Sequence, residues 1–217
     1  MKTIQLDSFE DFRNVTAGYM IQIDDYQLNQ FKKYYEVLSG WNKKINLISR
    51  KEQNILEKHF LDSILFLPEI VGLINQTPTV CDIGSGGGFP AIPLAIMKPD
   101  WHFTLCESIK KKANFLNHLV KELNLKNAEV MNVRVGARHG TPLQTKFDFI
   151  TARAVVKLDI LIKYALPLLK KDGYLLAYKA KDIDDEIKNI TLPLQIFSKE
   201  VNGVTRKLVV LSHPGIL

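Results

Sequence analysis

Cysteine is scarce in this chain: only Cys81 and Cys106 occur in 217 residues, each inside an apolar stretch that reads as a strand. Two thiols so placed offer neither a disulfide framework nor a ligand cluster, so buried free thiols in a reducing compartment are expected, with no metal site. Long hydrophobic runs are also missing. The most apolar one, ILFLPEIVGLI, is too short to span a bilayer and is broken by Pro68 and Glu69. The start, MKTIQLDSFEDF, is acidic and has no apolar signal-peptide core, so a cytoplasmic place is expected rather than export or membrane insertion. There are no internal repeats and no low-complexity linkers. Nor is there a His-Asp pair or a carboxylate cluster near the predicted strand ends, which leaves a general base without an obvious candidate.

What is present suits a globular protein. A hydrophobic content of 46% over 217 residues permits a substantial core. The net charge of +6 favours an anionic partner, nucleic acid among the possibilities.

From about Tyr26 the pattern is helical, with Leu28, Phe31, Tyr35 and Leu38 recurring at intervals of three and four before Ser39-Gly40. A second helix is predicted over Glu52 to Leu67, presenting Leu56, Phe60, Ile64 and Leu67 on one face ahead of Pro68. No strand signal precedes Thr79. From there strands and helices alternate: TVCDIG, a helix out of the glycines, HFTLCE, a helix over Lys110 to Leu123, AEVMNV, FDFITARA, and a helix near Leu158 to Leu169. A Lys171-Asp172-Gly173 turn, the strand YLLAYKA, a charged helix near Asp182 to Ile190, and the strands LQIFS and KLVVLS complete the chain. The alternation predicts an α/β fold of Rossmann-like kind, a mostly parallel sheet covered on both faces. The last two strands, joined through Asn202-Gly203, have no room for a crossover helix and are expected antiparallel at an edge. A helical N-terminal cap over residues 1–75 and a ligand-binding domain over 76–217 are expected.

The stretch Thr79 to Asp100 passes from the first strand through four glycines into the first crossover helix. In open α/β sheets that carboxyl edge binds ligands, and glycine admits both positive φ and close approach of a ligand to the backbone. Pro90 suits the first turn of the following helix. A Walker loop needs Gly-Lys-Ser/Thr, whereas Phe89-Pro90-Ala91 follow here. The dinucleotide pattern G-x-G-x-x-G fails from Gly84; from Gly86 it gives a G-x-G-x-x-A version ending at Ala91, which begins two residues too far beyond the strand. Asp82, Gly84, Gly86 and Gly88 form D-x-G-x-G-x-G without adjustment, the first motif usual in S-adenosylmethionine (SAM) methyltransferases. Glu107, ending the second strand, stands where a carboxylate accepts hydrogen bonds from ribose hydroxyls.

The acceptor is narrowed by elimination. Enzymes acting on exocyclic amines usually carry Asp/Asn-Pro-Pro-Tyr/Phe after the fourth strand, where this chain reads FITARAVVKL; cytosine-C5 enzymes need a loop cysteine, and neither cysteine is so placed. A purine N7 is a lone pair needing no base. Arg153, at the end of the fourth strand, is the candidate catalytic residue, its guanidinium suited to guanine O6 or a neighbouring phosphate. A binding module without turnover, and a methyltransferase for a small molecule or protein, remain as alternatives.

The segments YYEVLSGWNKKINLISRKE, KHFLDSI, VCDIGSGGGFPAIPLAI and FDFITARAVVKLDILI, with a strand ending YKA, follow one another in an order that resembles the ribosomal RNA small subunit methyltransferase G family, also called glucose-inhibited division protein B. The resemblance runs from about Asp25 to the last strand. It implies methyl transfer from SAM to N7 of one guanine in the 16S rRNA of the small ribosomal subunit. Carried over, the family's SAM contacts fall on Gly84, Phe89, Val135, Gly136 and Arg153; Asp82, Gly86, Gly88 and Glu107 come from the fold argument above. Three positions depart from the family: Gly136 stands where an acidic residue is usual, and Ala91 and Ala180 where glycine is common. Lys110, Lys111 and Lys112, and Lys179 with Lys181, are the favoured RNA phosphate contacts; Lys43-Lys44, Arg50-Lys51, Arg134 with Arg138, and Arg206-Lys207 are weaker candidates. His59, Asp62 and Ser63, within one helical turn, suit either a functional role or docking of the cap.

Overall fold

The computed structural model describes residues 6–136, 143–179 and 183–213. Arg138, Ala180 and Lys181 lie outside them. The first helix, α1 (Phe9–Gly18), was not anticipated from the apolar spacing. A reciprocal cap starts it: the Asp11 amide donates to Ser8 Oγ at 3.1 Å, and the Ser8 amide donates to Asp11 Oδ2 at 2.9 Å. The same device, Asp24 with Gln27, starts α2 (Asp25–Asn42). Along α2 the buried face runs through Leu28, Phe31, Tyr34 and Leu38, so Tyr34 rather than Tyr35 points inward.

The helix predicted over Glu52 to Leu67 is in fact broken. A π-helical segment, Leu56–Leu61, passes into α3 (Asp62–Ile64), and after a turn α4 (Leu67–Val71) takes Pro68 into its first turn. Proline is tolerated there because its missing N–H would have had no partner. The expected face is nonetheless buried: Phe60 and Ile64 are fully covered, Leu56 and Leu67 nearly so.

The remaining elements alternate. They are β1 (Thr79–Ile83), α5 (Ala91–Met97), β2 (His102–Cys106), α6 (Lys110–Glu122), β3 (Ala128–Met131), β4 (Phe147–Arg153) and α7 (Leu158–Ala165). β5 (Leu169–Lys179), α8 (Asp184–Ile187), β6 (Leu194–Val201) and β7 (Val204–Ser212) follow. The seven strands form one sheet in the order β3-β2-β1-β4-β5-β7-β6. The first five are parallel, while β7 pairs antiparallel with both β5 and β6, as expected for the C-terminal edge. The tight β6–β7 turn places Asn202 and Gly203 at φ 52 and 73, the left-handed pair that a two-residue hairpin favours.

Lys171-Asp172-Gly173 is not a turn between elements but an irregularity inside β5, where the register with β4 shifts. Gly173 is bare for a packing reason: a Cβ there would lie 2.9 Å from the carbonyl oxygens of Phe147 and Asp148.

One core lies between the cap helices and one face of the sheet, and includes Phe12, Phe31, Tyr34, Phe60, Phe89 and Phe115. A second fills the other face beneath α7. Phe60 is the hub of the first. Its ring centroid lies 4.9 Å from that of Tyr34, 5.6 Å from those of Phe31 and Phe89, and 6.3 Å from that of Phe12. Phe60→Ala should therefore lower the unfolding free energy by about 3–5 kcal/mol in urea titration. A loss under about 1 kcal/mol would mean that the cap does not pack on the sheet as described.

Candidate functional site

The strand order reverses beside β1, whose neighbours are β2 and β4, so the loops leaving β1 and β4 diverge and open a crevice at their carboxyl ends. The glycines leave β1 into this crevice. They have different duties. A Cβ on Gly88 would lie 2.8 Å from the Tyr34 hydroxyl and 2.9 Å from Ile92, so this glycine is bare to admit the cap. Tyr34, fully buried, donates to the Gly87 carbonyl at 2.6 Å. Gly86 differs: at φ 55 it has open space around its Cβ direction, the nearest atom being the Gly84 carbonyl oxygen at 3.7 Å. It is the part of the loop that a ligand can approach closely. Pro90 stands at the N-cap of α5, one residue ahead of the first turn.

Glu107 is buried and holds the loop in shape. One carboxylate oxygen accepts from the Gly86 amide at 2.9 Å and the other from the Ile109 amide at 2.8 Å. Asp82, 1% exposed, accepts from Thr151 Oγ1 at 2.7 Å through Oδ1, while its Oδ2 has no hydrogen-bond partner. Burial pushes its carboxyl up to about 7, against the opposing pull of the Thr151 hydroxyl and the Arg153 charge. An orphaned buried carboxylate oxygen behind an open glycine backbone fits a ligand that brings a cationic donor.

Arg153 ends β4 and turns toward the cap. Its guanidinium donates to the Lys58 carbonyl at 3.0 Å and to His59 Nδ1 at 2.8 Å, and lies 4.9 Å from the centre of the Phe89 ring. With Nδ1 accepting, the His59 proton sits on Nε2. Burial first, and the Arg153 charge second, hold the imidazole down to about 4, so it is neutral at physiological pH. No carboxylate among the described residues forms a salt bridge with Arg153, so an ion pair is not what holds it there.

Asp62 and Ser63 complete the junction. Asp62 accepts from Arg206 Nε at 2.7 Å, and the Ser63 carbonyl accepts from the Tyr178 hydroxyl at 3.1 Å. Arg206 also reaches Glu57 at 3.3 Å and is buried, so it is committed to the fold rather than available to phosphate. His59, Asp62 and Ser63 thus join the cap to the sheet, through Arg153, Arg206 and Tyr178.

Two cavities flank the segment that follows β4. One, of about 400 Å³, runs from Gly84 and Ser108 to Val135, Gly136 and Tyr164. The other, of about 290 Å³, lies between Asp62 and Phe66 of the cap and Tyr178 and Lys179 of the sheet. Arg153 and Ala154 face the second cavity and Val155 and Val156 the first, with Ala154 in the left-handed region at φ 56. A backbone strained at the partition between two cavities is the kind of feature that clusters at functional sites.

Lys110 and Lys111 are exposed at the start of α6, and Lys112 is half-buried. Lys179, at the rim of the smaller cavity, pairs with Glu186 at 2.6 Å. Sequence reasoning missed Tyr34, Thr151 and Tyr164. A buried-face tyrosine looks like any core residue in a helical repeat, and nothing in the local sequence tells which hydroxyl meets Asp82.

The family model for GidB, the rRNA small subunit methyltransferase G, matches residues 27–209. The ribosomal RNA small subunit methyltransferase G of Lactococcus lactis subsp. cremoris MG1363 is 36% identical over 214 residues, covering 93% of this chain and 89% of the relative. The protein of the same name from Macrococcus caseolyticus is 40% identical over 182 residues, covering 83% and 75%. Among solved structures, the METTL16 methyltransferase domain superposes with a TM-score of 0.60 at 16% identity, covering 95% of this chain and 92% of that one. A T. thermophilus 16S rRNA N2 G1207 methyltransferase, in complex with AdoMet and guanosine, gives 0.57 at 16% identity over 76% of this chain and 44% of its own. At such identities the structural likeness establishes the SAM-methyltransferase fold, and the relatives and family model establish the lineage: this chain belongs to the rRNA small subunit methyltransferase G family.

Proposed function

We propose that this protein transfers the methyl group of SAM to N7 of one guanine in the 16S rRNA of the small ribosomal subunit, in the cytoplasm. The observation that carries the reading is what the carboxyl ends of β1 and β4 hold: an open Gly86 backbone, the unpartnered Asp82 Oδ2, and Arg153 lining the smaller cavity. Residues 1–75 act as a cap and residues 76–217 as the SAM-binding domain.

Bound SAM would supply a methyl on a sulfonium, which the N7 lone pair would take as the S–C bond breaks, the positive charge passing to the purine with no proton to move. The protein's part is placement. Gly84, Gly86 and Gly88 shape the loop, and Gly86 lets the cofactor lie against bare backbone. Asp82 would hold the ammonium of the methionine portion through its unpartnered Oδ2. Glu107 sets the loop through its two amide contacts and is placed for the ribose edge, Phe89 braces Arg153, and Val135 with Gly136 closes the nucleobase end. Arg153 orients the base through O6; alignment of this sort contributes far more than acid–base help to a transfer whose acceptor is already unprotonated. Lys110, Lys111 and Lys112 meet backbone phosphates, whereas Lys179 would have to leave Glu186 to do so.

The direct test is transfer of labelled methyl to small subunits lacking the modification, followed by nucleoside analysis. Incorporation should appear as 7-methylguanosine in 16S rRNA; tight SAM binding with no incorporation would leave only a binding module. Arg153→Ala should lower kcat/KM by about 100-fold in assays run well below the variant's melting temperature, which the freed Lys58 carbonyl and His59 will reduce, and near-normal turnover would remove Arg153 from the site.

Gly86→Val puts a branched side chain at positive φ where the cofactor passes, so calorimetry should show SAM binding abolished; undiminished affinity would displace the loop from the site. The Asp82 carboxyl, raised to about 7 in the free protein, must ionise to meet an ammonium that stays protonated up to about pH 8. SAM affinity should therefore weaken as pH falls from 7 to 5, by up to about tenfold per unit. Asp82→Asn should flatten that dependence, and an equal slope in the variant would separate Asp82 from the ligand.

A further inference from the structure

Gly136 takes φ 76, and a Cβ placed on it would run into Cδ1, Cε1 and Cγ of Tyr164. The tyrosine comes from α7, one turn beyond the buried Leu161 and next to the buried Ala165, so the anchored helix seats the ring on the glycine backbone. Ring and glycine line the larger cavity together with Gly84, Ser108 and Val135. An aspartate or glutamate at 136 needs its Cβ where the ring already lies. The ring as placed and an acidic side chain at that position exclude one another.

The chemistry of the cavity changes accordingly. No carboxylate lines it among the described residues, and most of its other walls are apolar: Ile83, Cys106, Val133, Val135 and Val156. Glu107, the nearest acid along the chain to Ser108, is not among the residues that line the cavity. A carboxylate at 136 would read an exocyclic amine by accepting its N–H. An aromatic face offers a flat π surface instead, which takes any base by stacking and does not read its edge.

We propose that Tyr164 holds the nucleobase of the methyl donor by stacking, and that this protein selects its donor by the shape of a flat ring rather than by a side-chain acceptor for the adenine amine. The proposal rests on SAM occupying this cavity. Tyr164 is a specificity-determining residue, and Gly136 is the bare position that admits it.

The test is calorimetric, on the full chain, with S-adenosylhomocysteine and its deaminated inosine counterpart. Wild type should bind the two within about fivefold of each other. Tyr164→Ala and Tyr164→Leu should each weaken both ligands by about tenfold to a hundredfold, with their ratio unchanged. Tyr164→Leu keeps the apolar bulk, so it reports on the ring even if the alanine variant unfolds. The double variant Gly136→Asp/Tyr164→Ala clears the ring atoms from the Cβ position and uses a residue that tolerates φ 76, so it should favour the amino compound by about tenfold or more, because an edge-reading group has returned. A wild-type preference for the amino purine beyond fivefold, or Tyr164→Leu binding as tightly as wild type, would overturn the proposal while leaving SAM in the cavity. Failure of wild type to bind either ligand would overturn the SAM reading itself.

Discussion

The Tyr34 hydroxyl, buried beneath the cap and donating to the Gly87 carbonyl, ties the two halves of the structure into one arrangement. Its ring stacks on Phe89 at 5.2 Å, Phe60 packs edge-on against Phe89, and Gly88 is bare because the hydroxyl needs the room. The phenol is held neutral by burial, its pKa raised well above the ordinary tyrosine value, so it remains a donor throughout the physiological range. A buried carbonyl left without that donor would cost about 1–3 kcal/mol. The geometry of the glycine loop is therefore a property of the cap as well as of the sheet.

Charge at the same junction is managed in two ways. Arg206 is neutralised by Glu57 and Asp62 in a buried cluster; breaking such a cluster costs about 3–5 kcal/mol because an uncompensated charge is left behind. Arg153 instead meets uncharged acceptors, the Lys58 carbonyl and a histidine held neutral, and rests on the Phe89 ring. Among the described residues no carboxylate forms a salt bridge with it, which leaves it able to act on an anionic or carbonyl partner in the adjoining cavity. The histidine and the π-helical segment that carries it thus place a cation at the carboxyl end of β4 without quenching it.

Much of this was legible in the chain. The alternation after Thr79 established the parallel sheet, and Asn202-Gly203 the antiparallel edge, because strand pairing follows from connection length. The D-x-G-x-G-x-G spacing placed the glycine loop between β1 and α5. Three features were hidden. α1 rests on a cap made by Ser8 and Asp11 and on a few buried contacts, a weak periodic signal. The break at Leu65-Phe66 and the strand through Gly173 depend on neighbours distant in sequence, so Pro68 read as a terminator and Lys-Asp-Gly as a turn.

The sequence by itself determined the kind of fold, the position of the glycine loop and the lineage, because these rest on local spacing and order that any window of the chain displays. Only the tertiary structure decided what each bare position is for: Gly88 for Tyr34, Gly136 for Tyr164, Gly86 for open space. It alone also left Asp82 Oδ2 without a partner and gave Arg153 a neutral one. Such assignments depend on which groups meet across long sequence separations, and burial then sets their charge states; neither is encoded in the local order of residues.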